Sequence, residues 1–93
     1  MANDDQLDRT LRALADPTRR RLLRQIAATP GLSTLELGTL VPDMSRWGVM
    51  KHIDVLRESG LVQTLPDGRR RRHYAEVGVL QALREWLSAK ELT

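Results

Sequence analysis

The apolar positions of this chain fall into short periodic stretches separated by turn residues. Leu7, Leu11 and Leu14, spaced by four and three, make one stripe of a first helix from about Asp5 to Ala15. Asp16 is placed to cap a second helix with Pro17 at its first position, and Leu22, Leu23, Ile26 and Ala27 give that helix a buried face as far as Ala28. Pro30-Gly31 stops it. Ser33 followed by Glu36 is a capping box that opens a short third helix, with Leu37 and Leu40 as its apolar side and Pro42-Asp43 as its end. Ser45 caps a fourth helix, in which Val49, Ile53 and Leu56 repeat at four and three, and Gly60 sits where a left-handed C-cap belongs.

Beyond Gly60 the pattern changes. Leu61 to Leu65 is β-prone, Pro66-Asp67-Gly68 is a turn signal, and Arg69 to Ala75 can pair back as a second strand. From Val77 on, Val79, Leu80, Leu83, Trp86 and Leu87 share one face of a last helix, despite the cost of Gly78 near its start. Two helices around the turn Val41 to Met44, then a hairpin, then a helix predict a mainly α fold with a β-hairpin. It has about five helices and a two-stranded wing, the winged helix-turn-helix order, with residues 1–93 as one domain.

Length and composition narrow the function. A chain of 93 residues buries enough surface for one modest core and leaves little room for a deep catalytic cleft. With no cysteine, disulfide scaffolds, thiolate zinc sites and cysteine nucleophiles are excluded. An aromatic content of 3% argues against the sheet-based single-strand binders, which need stacking platforms. No apolar run is long enough to span a bilayer, and the acidic start Met1 to Gln6 is unlike a signal peptide, so a cytoplasmic location is expected. There is no Gly-rich phosphate loop, HExxH or GxSxG, and no carboxylate pair with a reason for a raised pKa. An enzyme, a cofactor and a metal site are therefore not expected.

The formal charge of +3 hides an asymmetry, because Asp4, Asp5 and Asp8 concentrate negative charge at the start and leave fifteen cations against nine anions over the remainder. Thirteen of the fifteen cations are arginine, whose planar fork suits phosphates and guanine edges, and this points to a polyanionic partner. On the fourth helix Val49, His52, Ile53 and Leu56 cluster on one side, while Arg46, Trp47, Met50, Lys51 and Asp54 fan across the other. Arg46 and Lys51 can reach guanine or phosphate, and Trp47 and Met50 can touch a thymine methyl; Trp47 has a second reading as cover for the third helix.

The run Arg69 to Arg72 splits by strand alternation. Arg69 and Arg71 are expected to contact phosphate or the minor groove, while Arg70 and Arg72 share the other face with Tyr74, taken as the core face, over which Arg72 lays its stem. Arg19, Arg20 and Arg21 open the second helix, where the dipole disfavours cations, and a structural role is favoured for them. His52, on the inner flank of its helix, reads as a hydrogen-bonded core residue, and His73 likewise lacks a second ligand.

The stretches LADPTRRRLLRQIA (Leu14 to Ala27), LSTLELGTLV (Leu32 to Val41), MSRWGVMKHIDVLRESGLV (Met44 to Val62) and DGRRRRHY (Asp67 to Tyr74) resemble the ArsR/SmtB-type bacterial winged-helix transcriptional regulators. The resemblance implies a homodimer held by the first and last helices, with Leu7, Leu11, Leu14, Leu80, Leu83, Trp86 and Leu87 at the interface. It also implies binding to a pseudo-palindromic operator in double-stranded DNA, with Arg46, Trp47, Met50 and Lys51 on the recognition helix and Arg69 and Arg71 on the wing. Metal-sensing members carry cysteines where this chain has Leu35, Glu36 and Leu37, or a histidine and carboxylate set where it has Gln81, Arg84 and Glu85. Neither ligand set is present, and the GVMKH wording (Gly48 to His52) resembles a branch without metal ligands. Serine and threonine usually stand at the positions of Trp47, Gly48 and Met50, which implies a different operator. The expected function is a sequence-specific dimeric repressor without metal sensing; the alternative is a winged-helix module for protein contact, anchored by Trp47 and Met50.

Overall fold

The computed structural model describes residues 2–89, with side chains from residue 5 onward. Its elements are α1 (Ala2–Leu14), α2 (Pro17–Ala28), β1 (Leu32–Ser33), α3 (Thr34–Leu40), α4 (Arg46–Glu58), β2 (Val62–Asp67), β3 (Arg70–Ala75) and α5 (Val77–Leu87). Helix starts follow local chemistry. Asp16 accepts from the Arg19 amide at 3.0 Å, satisfying a donor that the first turn of α2 leaves open, and this bond lowers the pKa of its carboxyl. Both halves of the capping box are formed: Glu36 N–H donates to Ser33 Oγ at 3.1 Å, and Ser33 N–H donates to Glu36 Oε1 at 2.9 Å. Ser45 caps α4 by accepting from Gly48 N–H at 3.0 Å. At the other end of α4, Gly60 takes φ +85°, and the amides of Gly60 and Leu61 return to the carbonyls of Arg57 and Leu56.

One core serves all these elements. Leu22, Leu23 and Ile26 of α2, Leu37 of α3, and Val49, Ile53 and Leu56 of α4 are buried together with Ala13, Val41, Leu61 and Val62. Leu14 and Leu80 lie half-buried against this cluster, so two of the seven residues expected at a dimer interface pack onto the protein's own core.

The wing differs from expectation in three respects. The sheet has three strands, in the order β1-β3-β2, because Leu32 and Ser33 pair antiparallel with His73 and Arg72 before α3 begins. The β2–β3 ladder runs on to Asp67–Arg70, so the turn is Gly68-Arg69, with Gly68 at φ +61° in the first central position of a tight hairpin. Pro66 is therefore a strand residue, which the edge position of β2 tolerates, and Arg69 stands at the hairpin tip. The inner face of β3 also belongs to His73, which is buried, whereas Tyr74 is only half-buried on the opposite side. Strand parity is as expected; the face assigned to the core is reversed. His52 is half-buried on the flank of α4.

The arginines that open α2 act structurally. Arg19 donates to the carbonyls of Ala13 at 2.6 Å and Arg12 at 3.2 Å, and Arg20 to that of Leu14 at 2.7 Å, so both satisfy the open C-terminus of α1, where positive charge is favoured. Arg21 does the same for α3 through the Leu40 carbonyl at 2.8 Å. On the other side of the molecule, the Gln6 amide donates to the Ser59 carbonyl at 2.7 Å, fastening α1 to the C-cap of α4.

Candidate nucleic-acid interface

Helix α3, the turn 41–45 and helix α4 place the outer face of α4 away from the core, since Val49, Ile53 and Leu56 occupy the inner face. All four expected recognition residues are exposed. Arg46 and Lys51 reach solvent, Trp47 is 68% exposed and Met50 45% exposed, which removes the reading of Trp47 as cover for α3. The Lys51 ammonium lies over the Trp47 ring, 4.4 Å from its centre. That cation–π contact orders both side chains on the helix surface.

The wing lies alongside. A groove of about 250 Å³ runs between the start of α3, helix α4 and the hairpin, lined by Ser33, Thr34, Leu35, Arg46, Met50, Arg69, Arg70 and Arg71. It brings Arg46 and Met50 of the expected set together with Arg69 and Arg71. It adds two residues that sequence reasoning missed. Arg70 had been assigned to the core face, and Leu35, 56% exposed on the first turn of α3, gave no signal beyond an apolar residue out of phase with Leu37.

The four wing arginines are not equivalent. Arg72 donates to Asp67 at 2.6 Å and to the Gly31 carbonyl at 2.9 Å, with Glu36 at 3.8 Å, and the bond to Asp67 raises its pKa. Among the described residues, Arg46, Arg69, Arg70 and Arg71 form no ion pair, so their guanidinium groups keep their donors available. Four cations at the rim of one groove repel one another, and a bound polyanion relieves that repulsion.

A buried histidine joins the wing to the helices. Thr64 Oγ1 of β2 and Thr34 Oγ1 of α3 each lie 2.8 Å from one ring nitrogen of His73, Nδ1 and Nε2 respectively. Both nitrogens are thus satisfied without a second histidine or a carboxylate. Burial lowers the pKa of His73, with Arg57 and Arg71 adding to the effect and Asp54 opposing it, so folding favours the neutral imidazole.

A second surface lies on the far side of the molecule. Leu7 of α1 with Val79, Ala82, Leu83 and Trp86 of α5 lines an open, mainly apolar groove of about 540 Å³, edged by Gln6, Thr10 and Glu85. Leu11, Trp86 and Leu87 are exposed around it. Among the described residues, no group of three or more histidine, cysteine or carboxylate side chains is gathered to hold a metal ion, and no helix is long and apolar enough to cross a membrane.

A helix-turn-helix with a basic hairpin at its side defines the class, a winged helix-turn-helix protein. Comparison with known proteins places the chain within it. A helix-turn-helix domain family matches residues 14–64. The HTH-type transcriptional regulator Rv2034 of Mycobacterium tuberculosis is 39% identical over 79 residues, covering 83% of this chain and 70% of that protein. An ArsR-like transcriptional regulator from Rhodococcus sp. RHA1 superposes with a TM-score of 0.84 at 28% identity, covering 95% of this chain and 81% of its own. The ArsR family transcriptional regulator RHA00566 superposes at 0.79 with 36% identity, covering 91% and 86%. The homodimeric winged helix-turn-helix DNA-binding domain Mb0332 of Mycobacterium bovis shares the fold at 0.77 and 23% identity, covering 99% and 86%. The chain belongs to the ArsR family of winged helix-turn-helix transcriptional regulators.

Proposed function

We propose that this regulator is a sequence-specific repressor, binding as a homodimer to a pseudo-palindromic operator without sensing a metal. The observation that carries the DNA contact is the joint exposure of Arg46, Trp47, Met50 and Lys51 on one face of α4, beside the unpaired arginines of the wing. In this reading α4 enters the major groove, where Arg46 and Lys51 meet guanine edges or phosphates. The wing tip crosses to the neighbouring minor groove, and the phosphate ridge between the two lies along the groove rimmed by Arg46, Arg69, Arg70 and Arg71.

The apolar face of α1 and α5 supports the dimer. Leu7, Leu11, Leu83, Trp86 and Leu87 form its contact surface, with Leu14 and Leu80 beneath them, and burying such a face removes large side chains from water. Two copies related by a two-fold axis would present their recognition helices to half-sites about 10 base pairs apart or a multiple of that. Repression then follows from occlusion: a dimer seated across a promoter excludes polymerase. The absence of cysteine, which removes every thiolate ligand from the chain, supports a regulator that does not respond to a thiophilic metal.

The test is electrophoretic mobility shift and fluorescence anisotropy on duplexes covering the regulator's own promoter region, with Arg46→Ala and Arg69→Ala variants. Arg46→Ala is expected to relax base preference, with a cost of about 1–3 kcal/mol on the preferred sequence if its contact is bidentate. Arg69→Ala is expected to weaken all duplexes alike. Binding that ignores both changes would rule out this interface.

A further inference from the structure

We propose that the recognition helix reads the 5-methyl group of pyrimidines, so that thymine and 5-methylcytosine are favoured at the same position over uracil and unmethylated cytosine respectively. The inference rests on the DNA-binding reading above and adds what that surface selects and how a covalent mark on the operator would regulate it.

Large apolar side chains exposed close together, rather than singly, mark a surface that meets a partner. Trp47 and Met50, one turn apart on the outer face of α4, are 68% and 45% exposed, and Leu35 faces the same groove as Met50 and is 56% exposed. None of the three is needed by the core, which α4 supplies through Val49, Ile53 and Leu56. They are set among Arg46, Lys51 and the wing arginines, a charge complement to DNA, and a second protein surface would have to match that cationic rim as well. The major-groove edges of the base pairs offer donors, acceptors and one apolar group, the methyl on C5 of thymine. 5-Methylcytosine carries the same methyl on the same ring atom.

Two details favour methyl reading over hydrogen-bond reading at this point. The Lys51 ammonium covers one face of the Trp47 ring at 4.4 Å, which holds the indole in place and leaves its edge and other face to meet a base. The carboxylate on the same side of α4, Asp54, has its Oδ1 engaged by Arg57 at 3.1 Å, which leaves one oxygen rather than two to select the amino group of cytosine. Seating one methyl against such a patch changes affinity roughly fourfold, and roughly fifteenfold when both half-sites of a dimer lose it.

The experiment begins with a duplex selected by the full chain from a random-sequence library. Its affinity is measured by fluorescence anisotropy, then measured again with deoxyuridine replacing thymidine one position at a time. At each sensitive position cytosine and 5-methylcytosine are compared. The expected result is a roughly fourfold loss with deoxyuridine at one or two positions of each half-site, with 5-methylcytosine binding tighter than cytosine there by a similar factor. Trp47→Ala and Met50→Ala, both at exposed positions, should shrink the difference between thymine and uracil, and Arg69→Ala should weaken binding while preserving it. Tight, sequence-selective binding that is indifferent to deoxyuridine at every position overturns methyl reading and leaves the DNA reading standing, as does a methyl effect that survives in both variants. Failure to enrich any duplex overturns the DNA reading, and methyl reading with it.

Discussion

Adjacent arginines in one run should behave differently on DNA, and the difference can be worked from their partners. Arg71 is exposed on the groove and forms no ion pair among the described residues, whereas Arg72, the next residue, has its guanidinium fastened to Asp67 at 2.6 Å and to the Gly31 carbonyl at 2.9 Å. Each phosphate neutralised by the protein steepens the dependence of log affinity on log salt by about 0.9. Replacing Arg71 by alanine should therefore flatten the slope by about 0.9 for each subunit, or about 1.8 for a dimer. Removing Arg69, Arg70 and Arg71 together should flatten it by about 5. Arg72→Ala removes a charge already matched by Asp67 and should leave the slope near that of the wild type. Asp67→Asn, which removes the charge matched to Arg72 while its bond to the Gly31 carbonyl remains, should steepen it. The assay is anisotropy of a labelled duplex titrated across a series of potassium chloride concentrations. Equal flattening by Arg71→Ala and Arg72→Ala would refute the division of the wing into contacting and structural arginines.

Other consequences follow from the packing. Ser33→Ala removes the Oγ that accepts from Glu36 N–H, leaving the first turn of α3 short of an acceptor while the backbone amide at position 33 can still donate to Glu36, and it should cost about 1 kcal/mol in urea unfolding, with Ser33→Thr recovering part of the loss. Burial depresses the pKa of His73 below its ordinary value of 6.5, so the unfolded chain takes up a proton there before the folded one does. Stability is fully present above pH 6.5 and should fall as the pH drops through 6.5 toward the depressed folded value. His73→Gln should remove this dependence between about pH 7 and pH 5, before the carboxylates titrate. Leu83→Asp, placed in the groove between α1 and α5, should convert a dimer to monomers in analytical ultracentrifugation and lower operator affinity on the order of a hundredfold, leaving the circular dichroism spectrum of the monomer intact.

Much of the fold could be read from local chemistry. The caps at Asp16, Ser33 and Ser45 and the C-cap at Gly60 are where the sequence places them, because each depends on a few neighbouring residues. What depended on distant partners was not legible. Strand β1 is two residues long and exists only through its pairing with β3, Leu32 with His73 and Ser33 with Arg72, far along the chain, so no periodicity could announce it. The core face of β3 was misread because tyrosine is the more apolar of the two candidates. His73 becomes buriable only when Thr34 and Thr64 arrive to satisfy both ring nitrogens. Of the site, the outer face of α4 followed from helical spacing alone. The presence of Arg70 and Leu35 in the same groove followed from tertiary placement and could not be seen in advance.

The bond from Gln6 to the Ser59 carbonyl ties together two parts of the molecule that face different partners. One end belongs to the helix bordering the apolar groove, the other to the tail of the helix that would read bases. Gln6 thus belongs to both: its helix lines the apolar groove, and its side-chain amide holds the C-cap of α4. Were occupancy of the groove to shift this bond, groove and duplex would be coupled, each changing the affinity for the other by the same factor.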